Sequence, residues 1–405
     1  MKIFFRRIHL YLGLAAGLVI LVCCLTGAIL VFEKDLQMAL NKKRYFVEEG
    51  STRLSADQLA EKVKLAYPDA KVTAIKLYTD ANRSAEISAT IPAAVKKNTE
   101  QKEARSTTPP RQPGYTIFVN PYTGEVLEKY IYRETFFYQV FALHRWLLGG
   151  ESSIGKYIVG ISTLIFLFII ITGIILWWPK TKRILKQRLK IKWSAGWKRI
   201  NHDLHLVFGF YSAIFLFIFA FTGLAWSFEW FNKGIYSVTS SPLKNPPLPK
   251  SNFVAGAETI SFEKALTVAK EHYPDAQFYT VTKPKDSTDI FIVSSLPVKP
   301  VHESATDALY IDQYTGAVAG KLEFKDRNLG ARVRSTFKPV HTGSIWGTPT
   351  KIIAFIVCIF GASFPITGTI MWINRTRKKN KRIKEDWEEE EELSTKDEVR
   401  DTKLA

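Results

Sequence analysis

Four of the seven histidines carry the pattern with chemistry in it. A shift of 196 residues lays His9 on His205, and a shift of 197 lays His144 on His341. Each stands where a polar stretch gives way to a long apolar run. A neutral imidazole offers one lone pair to a metal, so two imidazoles from facing helices can hold one haem iron axially. The pairs His9 with His205 and His144 with His341 would make two such sites, near opposite faces of a membrane. Copper or zinc suits the pattern badly, because two donors at each of two distant places leave those sites incomplete. Interfacial histidines without a ligand are the plainer reading of any one position. Four of them, paired and in two layers, favour ligation.

The stretch INHDLHLVFGFY holds two histidines on one helix face, His202 and His205. The 196-residue shift keeps Gly13 on Gly209, Thr26-Gly27 on Thr222-Gly223 and Phe32-Glu33 on Phe228-Glu229 only with His205 as the partner of His9. His202 then falls on Arg6. Aligning Arg199 with Arg6 would favour His202 instead, but it puts Leu206 on Gly13 and Phe219 on Thr26. His205 is therefore the expected ligand. His202, Arg6 and Arg145 are expected at haem propionates, and Arg7 and Arg199 are further cations in reach of that role. Gly13 and Gly209 would let a flat ring approach the backbone.

The elements that must hold these histidines are four apolar runs at about 10–32, 157–178, 206–228 and 350–373. Each is long enough to cross a ~30 Å hydrocarbon core at 1.5 Å per residue. The chain has 405 residues and a net charge of +18. Its basic residues cluster beside the apolar runs. Nine Lys/Arg and one acid lie in 179–204, six more lie in 374–382, and three lie in the first eight residues. That placement points to a membrane rather than nucleic acid, and it puts both termini and the 179–204 loop in the cytoplasm. The first run is too long for a signal peptide core and lacks a cleavage pattern, so it is read as a retained helix. No acid or base lies at mid-span, which argues against a proton-coupled transporter. Cys23, Cys24 and Cys358 lie in apolar runs as small packing residues. The Thr-Gly dipeptide of every run is read as helix packing, and Trp177, Trp178 and Trp372 as boundary anchors.

The segments between the runs repeat as well. LAYPDA at 65–70 matches EHYPDA at 271–276, and NPYTGEV at 120–126 matches DQYTGAV at 312–318. Each predicts a Ser-started helix (55–67, 261–273) followed by alternating strands, with a Y-T-G turn before the last. The expected unit is α+β, a helix on an antiparallel sheet. Residues 93–113 read as a mobile excursion, and the charged tail from 374 to 405 as disordered. Glu33 and Glu229 mark span ends or orient an outer histidine. His272 and His302 are expected to be exposed or capping residues.

RRIHLYLGL, ALHRWLLGG and PVHTGSIWG, in this order around the YPDA…YTGEV units, resemble the PepSY-associated transmembrane (PepSY-TM) family over about residues 3–380. The resemblance implies a bundle of four transmembrane helices from a tandem duplication, carrying two extracytoplasmic PepSY-like α+β domains. The expected layout is helix 1 to residue 32, a first domain at 33–143 and helix 2 at 144–178. A basic loop at 179–204, helix 3 at 205–229, a second domain at 230–340, helix 4 at 341–373 and the tail follow. It further implies a bacterial inner-membrane protein with two b-type haems on His9, His144, His205 and His341. The expected activity is passing electrons from a cytoplasmic donor to a ferric siderophore or other ferric chelate outside. The alternative is a non-redox anchored protein that binds or regulates a peptidase or other envelope partner.

Overall fold

The structure, a computed structural model, describes residues 2–90, 114–243, 246–254 and 256–402. The excursion expected at 93–113 lies outside them. In chain order the helices and strands begin with α1 (Lys2–Val31), α2 (Glu33–Leu40), α3 (Lys42–Tyr45) and α4 (Ala56–Ala66). Strands β1 (Lys71–Tyr78), β2 (Ala85–Thr90), β3 (Gly114–Val119) and β4 (Val126–Tyr130) follow. Then come α5 (Phe136–Trp146), α6 (Ile154–Trp177), α7 (Lys182–Arg188), α8 (Trp197–Ser227), α9 (Glu229–Val238) and α10 (Phe262–His272). The chain finishes with β5 (Ala276–Thr282), β6 (Ile290–Pro297), β7 (Asp307–Asp312), β8 (Val318–Leu322), α11 (Leu329–His341) and α12 (Thr348–Thr402).

Two compact units result, one of Met1–Ile29, Ala142–Phe228 and Ile352–Ala405, the other of Leu30–Phe141 and Glu229–Lys351. The first is a helical bundle. Four of its helices, Lys2–Val31, Ile154–Trp177, Trp197–Ser227 and Thr348–Asn380, are long and apolar enough to cross a membrane. Small residues bring them together, as helices without a hydrophobic drive between them require. A Cβ on Gly17 would lie 3.3 Å from Pro365, and one on Gly361 would lie 2.7 Å from the Cys24 sulfur.

The second unit is built on one antiparallel sheet of eight strands in the order β4-β3-β2-β1-β5-β6-β7-β8. Helices α4 and α10 cover one face. Their buried residues Leu59, Val63, Leu266 and Ala269 meet Ile75, Ile87, Ile117, Val281, Val293 and Leu309 of the alternating strands. Ser55 and Ser261 cap the two helices as their sequence spacing predicts, Ser55 within a full capping box. Each helix also supplies an acid to the other's first turn. Asp57 accepts from the Phe262 and Glu263 amides, and Glu263 accepts from the Ala56 amide. The Y-T-G turns place Gly124 and Gly316 at φ of 75° and 73°, the left-handed region open to glycine.

Several expectations need correction. The two outer units do not form separate domains. β1 pairs antiparallel with β5, with Ile75 opposite Val281, so the sheet is continuous. Matching the YPDA motifs makes Val281 the counterpart of Ile75, so the seam is symmetric about that pair. The helices expected to begin at His144 and His341 are interrupted. α5 ends at Trp146 and α6 starts at Ile154, across Leu147 and Leu148 at φ of 50° and 68° and Gly150 at 88°. Likewise α11 ends at His341, and Gly343 and Gly347 with positive φ precede α12. The 179–204 loop contains α7, and α8 already begins at Trp197. The tail expected to be disordered is helical to Thr402. Residues 374–405 contain no Gly or Pro, and Lys, Arg and Glu form helices well.

Candidate functional site

His9 and His205 meet inside the bundle. Their ring centroids lie 6.4 Å apart, with ring planes at 81°. A metal–nitrogen bond of ~2.0–2.1 Å plus ~1.1 Å from nitrogen to ring centre puts two imidazoles on one metal about 6.3 Å apart, centre to centre. The spacing therefore fits a single ion between them.

The neighbours of each ring settle which nitrogen can bind. His9 Nδ1 lies 3.1 Å from the Ile169 carbonyl and 3.0 Å from the Thr172 hydroxyl. A carbonyl only accepts, so Nδ1 carries the proton and donates. His205 Nδ1 lies 2.8 Å from Thr367 Oγ1, whose hydroxyl donates to the Ser363 carbonyl. Thr367 thus accepts from His205 Nδ1–H. In both residues Nε2 keeps its lone pair, the tautomer a metal ligand needs. Asn201, one turn before His205 and buried, donates through Nδ2 to the Thr367 carbonyl and braces this partner.

The glycine after each threonine makes room for the imidazole. A Cβ on Gly173 would lie 3.2 Å from His9 Cε1, and one on Gly368 would lie 3.5 Å from His205 Cε1. Around the two rings is a cavity of about 710 Å³, inside the ~300–1,000 Å³ of ordinary ligand sites. Gly13 and Gly209, four residues after the histidines, line it, and a Cβ on either would meet nothing within 4 Å. Phe166, Leu216 and Phe364 are among its apolar walls. Trp177 stacks on Phe210 in the same wall, with ring centroids 3.8 Å apart. Its indole nitrogen is buried without a partner among the described residues. One group of lining residues is cationic: Arg6, Arg188, Lys198 and Arg375, beside His202. A flat, largely apolar cofactor with anionic substituents and an axially ligated metal fits these walls. Among the described residues no three His, Cys, Asp or Glu cluster as a metal site, so two-donor ligation is the arrangement on offer.

His144 repeats the bracing elsewhere in the bundle. Its Nδ1 lies 3.0 Å from the Cys23 carbonyl and 3.0 Å from Thr26 Oγ1, and Thr26 donates its own proton to the Val22 carbonyl. A Cβ on Gly27 would lie 3.5 Å from His144 Cε1. This brace lies roughly 15 residues, or ~22 Å, along α1 from His9.

The expected residues fall unevenly. His9, His205, Arg6 and His202 share the cavity. His202 is half-exposed, 3.4 Å from Asp203 Oδ1, while Arg199 binds that carboxylate at 2.8 Å. Arg7 is exposed. Arg145 does not reach the cavity; it donates to the Trp226 carbonyl. His341 is the last residue of α11, in the sheet unit. Glu33 and Glu229 have partners other than histidine. Glu33 accepts from Gln37, and Glu229 pairs with Lys233 at the surface. His272 lies 2.8 Å from the Val268 carbonyl at its helix end. His302, expected to be exposed, is buried with its ring edge-on to Phe324.

The sequence pattern of the PepSY-associated TM region matches residues 6–375, spanning both the bundle and the sheet. The chain belongs to this family. No curated protein matched the chain. Within this PepSY-associated protein, the residues that sequence reasoning missed are the threonines. Thr26, Thr172 and Thr367 belong to Thr-Gly dipeptides whose signal was their count, one per apolar run and as many as the paired histidines.

Proposed function

We propose that this multi-pass membrane protein binds b-type haem and carries electrons across the bilayer to a ferric chelate on the outer side. The observation that supports the reading best is the His9–His205 pair: two rings at bis-imidazole spacing, each with Nδ1–H committed to a partner, which leaves the Nε2 lone pair for ligation. When bound, haem supplies a one-electron ferric/ferrous couple. His9 and His205 would hold the iron, with Ile169, Thr172 and Thr367 fixing their tautomers. The aliphatic and aromatic walls exclude water, and Arg6 and His202 would meet the propionates. The tandem duplication is part of this proposal, and by it His144 and His341 are the ligands of a second haem. The basic clusters support a reading in which both termini are cytoplasmic in a bacterium and a ferric siderophore or other chelate would take the electron on the outer side.

The test is spectroscopic. Protein purified from haem-replete cells should give a pyridine haemochrome of b type with about two haems per chain. Membranes should give a reduced-minus-oxidised difference spectrum that His9→Ala and His205→Ala diminish together. A colourless preparation would refute the proposal and leave the anchored, non-redox partner-binding protein as the surviving reading.

A further inference from the structure

The two halves of the sheet treat one position differently. In the first half Arg44, buried on the face opposite α4, forms a bidentate pair with Glu128. Its Nε lies 2.8 Å from Oε2 and its Nη2 2.5 Å from Oε1. The guanidinium lies over the rings of Tyr130 (4.5 Å) and Phe118 (5.7 Å). Register fixes the counterparts in the second half. Phe118 stands opposite Glu128, and Thr116 opposite Tyr130; Tyr310 stands opposite Gly320, and Ala308 opposite Leu322. Tyr310 and Leu322 thus replace Phe118 and Tyr130, and Gly320 replaces Glu128. The carboxylate of the first half has no counterpart in the second.

A cavity of about 370 Å³ lies beside that place, lined by Tyr310 and Leu322, the counterparts of Phe118 and Tyr130. Tyr310, Leu322, Tyr236, Arg327, Arg334 and Ser335 line it, and no acid does. Arg327 donates from Nη2 to the Thr306 carbonyl, and its buried Nε has no partner among the described residues. Arg334 donates from Nε to Asn232 Oδ1 and packs along Phe337. Neighbouring acids are engaged elsewhere. Glu323 binds Lys321 and Lys325, and Asp307 accepts from the Phe324 amide. Two guanidinium groups and two tyrosines therefore line a cavity next to the position at which the other half places its own carboxylate.

We propose that this cavity binds a small carboxylate-bearing molecule, whose carboxylate takes the place that Glu128 takes in the first half. Arg327 and Arg334 supply the charge-assisted donors, and Tyr236 and Tyr310 supply hydroxyls. The volume admits a molecule of a few carbons with one to three carboxylates. The site needs no haem, so it stands or falls apart from the electron-transfer reading.

Calorimetric titration of the full chain in nanodiscs with acetate, succinate and tricarballylate tests it. Inorganic phosphate and phosphatidate-containing nanodiscs form the comparison arms. At least one carboxylate should bind saturably, and neither phosphate source should compete. Arg327→Gln should weaken binding at least tenfold. Gly320→Glu should abolish it by supplying a tethered carboxylate. There a Cβ would meet Pro249 at 3.3 Å, so Pro249 has to give by a few tenths of an ångström. The same variant should melt at a higher temperature, a readout independent of any added ligand. Saturable binding by none of the three carboxylates, unchanged affinity in Gly320→Glu, or displacement by phosphate would overturn the proposal.

Discussion

Thr367→Val tests the histidine brace at its least redundant link. Valine keeps the shape of threonine and removes the oxygen. Thr367 Oγ1, 2.8 Å away, is the acceptor for His205 Nδ1–H. In the free protein the orphaned imidazole can rotate or change tautomer. On iron it can do neither, so the cost falls on affinity. A buried donor left unpaired costs about 1–3 kcal/mol, and loss of such a partner weakens metal binding about 10–100-fold. The two ranges agree. Thr172→Val is the internal control, because His9 Nδ1 keeps the Ile169 carbonyl at 3.1 Å. Its loss should stay within about threefold, a few tenths of a kcal/mol to ~0.6 kcal/mol. Transfer of haem from each variant to excess apomyoglobin, followed optically, gives the rates. Thr367→Val should release one haem ~10–100-fold faster than the parent protein, with Thr172→Val close to the parent. Equal rates in the two variants, or the reverse order, would show that the threonines do not govern ligation.

The other predictions use different readouts. His205→Ala should lose one haem per chain while His202→Ala keeps both, measured by pyridine haemochrome; the opposite result would make His202 the ligand. Gly173→Ala should impair haem loading more than Gly368→Ala, because its Cβ would press on His9 at 3.2 Å while the other makes an ordinary 3.5 Å contact with His205. Burial raises the Glu33 carboxyl above its ordinary value, against hydrogen bonds from Tyr132 and Gln37 and the charge of Lys338. The folded state then holds the proton more tightly than the unfolded state. Stability falls as pH rises from the ordinary carboxylate value through the raised one and stays lower above it. Glu33→Gln should therefore melt higher than the parent at neutral pH and lose that advantage near pH 4, by thermal scans across pH.

The meeting of His9 and His205 was legible because the internal repeat in the sequence turns a lone histidine into a constrained one. His205, not His202, keeps Gly209 and Thr222-Gly223 in register with the first run, and His205 is the ring that faces His9. The threonines were visible but misread. A small residue chosen for helix approach and one chosen to receive an imidazole leave the same trace in a sequence, and only the neighbouring helix tells them apart. The break between α5 and α6 was legible in GGESS at 149–153, which the expected helix over 144–178 ran across, while the left-handed backbone of Leu147 and Leu148 has no sequence signal. The β1–β5 seam was hidden. Alternation in KVTAIKLY shows which face is buried but not which strand lies alongside. His302 was expected to be exposed or capping because its loop bears prolines; its ring accepts from the Ser304 amide, and Phe324 and Ser335 close over it.

The seam at Ile75 and Val281 has a consequence for how such a chain can be divided. The bracing of each histidine stays within its own half: His9 uses α6 and His205 uses α12. The opposing imidazole comes from the other half. A half-length chain would thus make its own brace but present only one imidazole, and its β1 would be an open edge whose register about Ile75 is self-complementary. Two identical half-chains would satisfy both needs at once, as an isologous pair joined strand to strand with His9 facing its own copy. In a single chain, by contrast, the two sides need not be identical. Gly320 at the position of Glu128, and His202 at that of Arg6, are differences an identical pair could not have had.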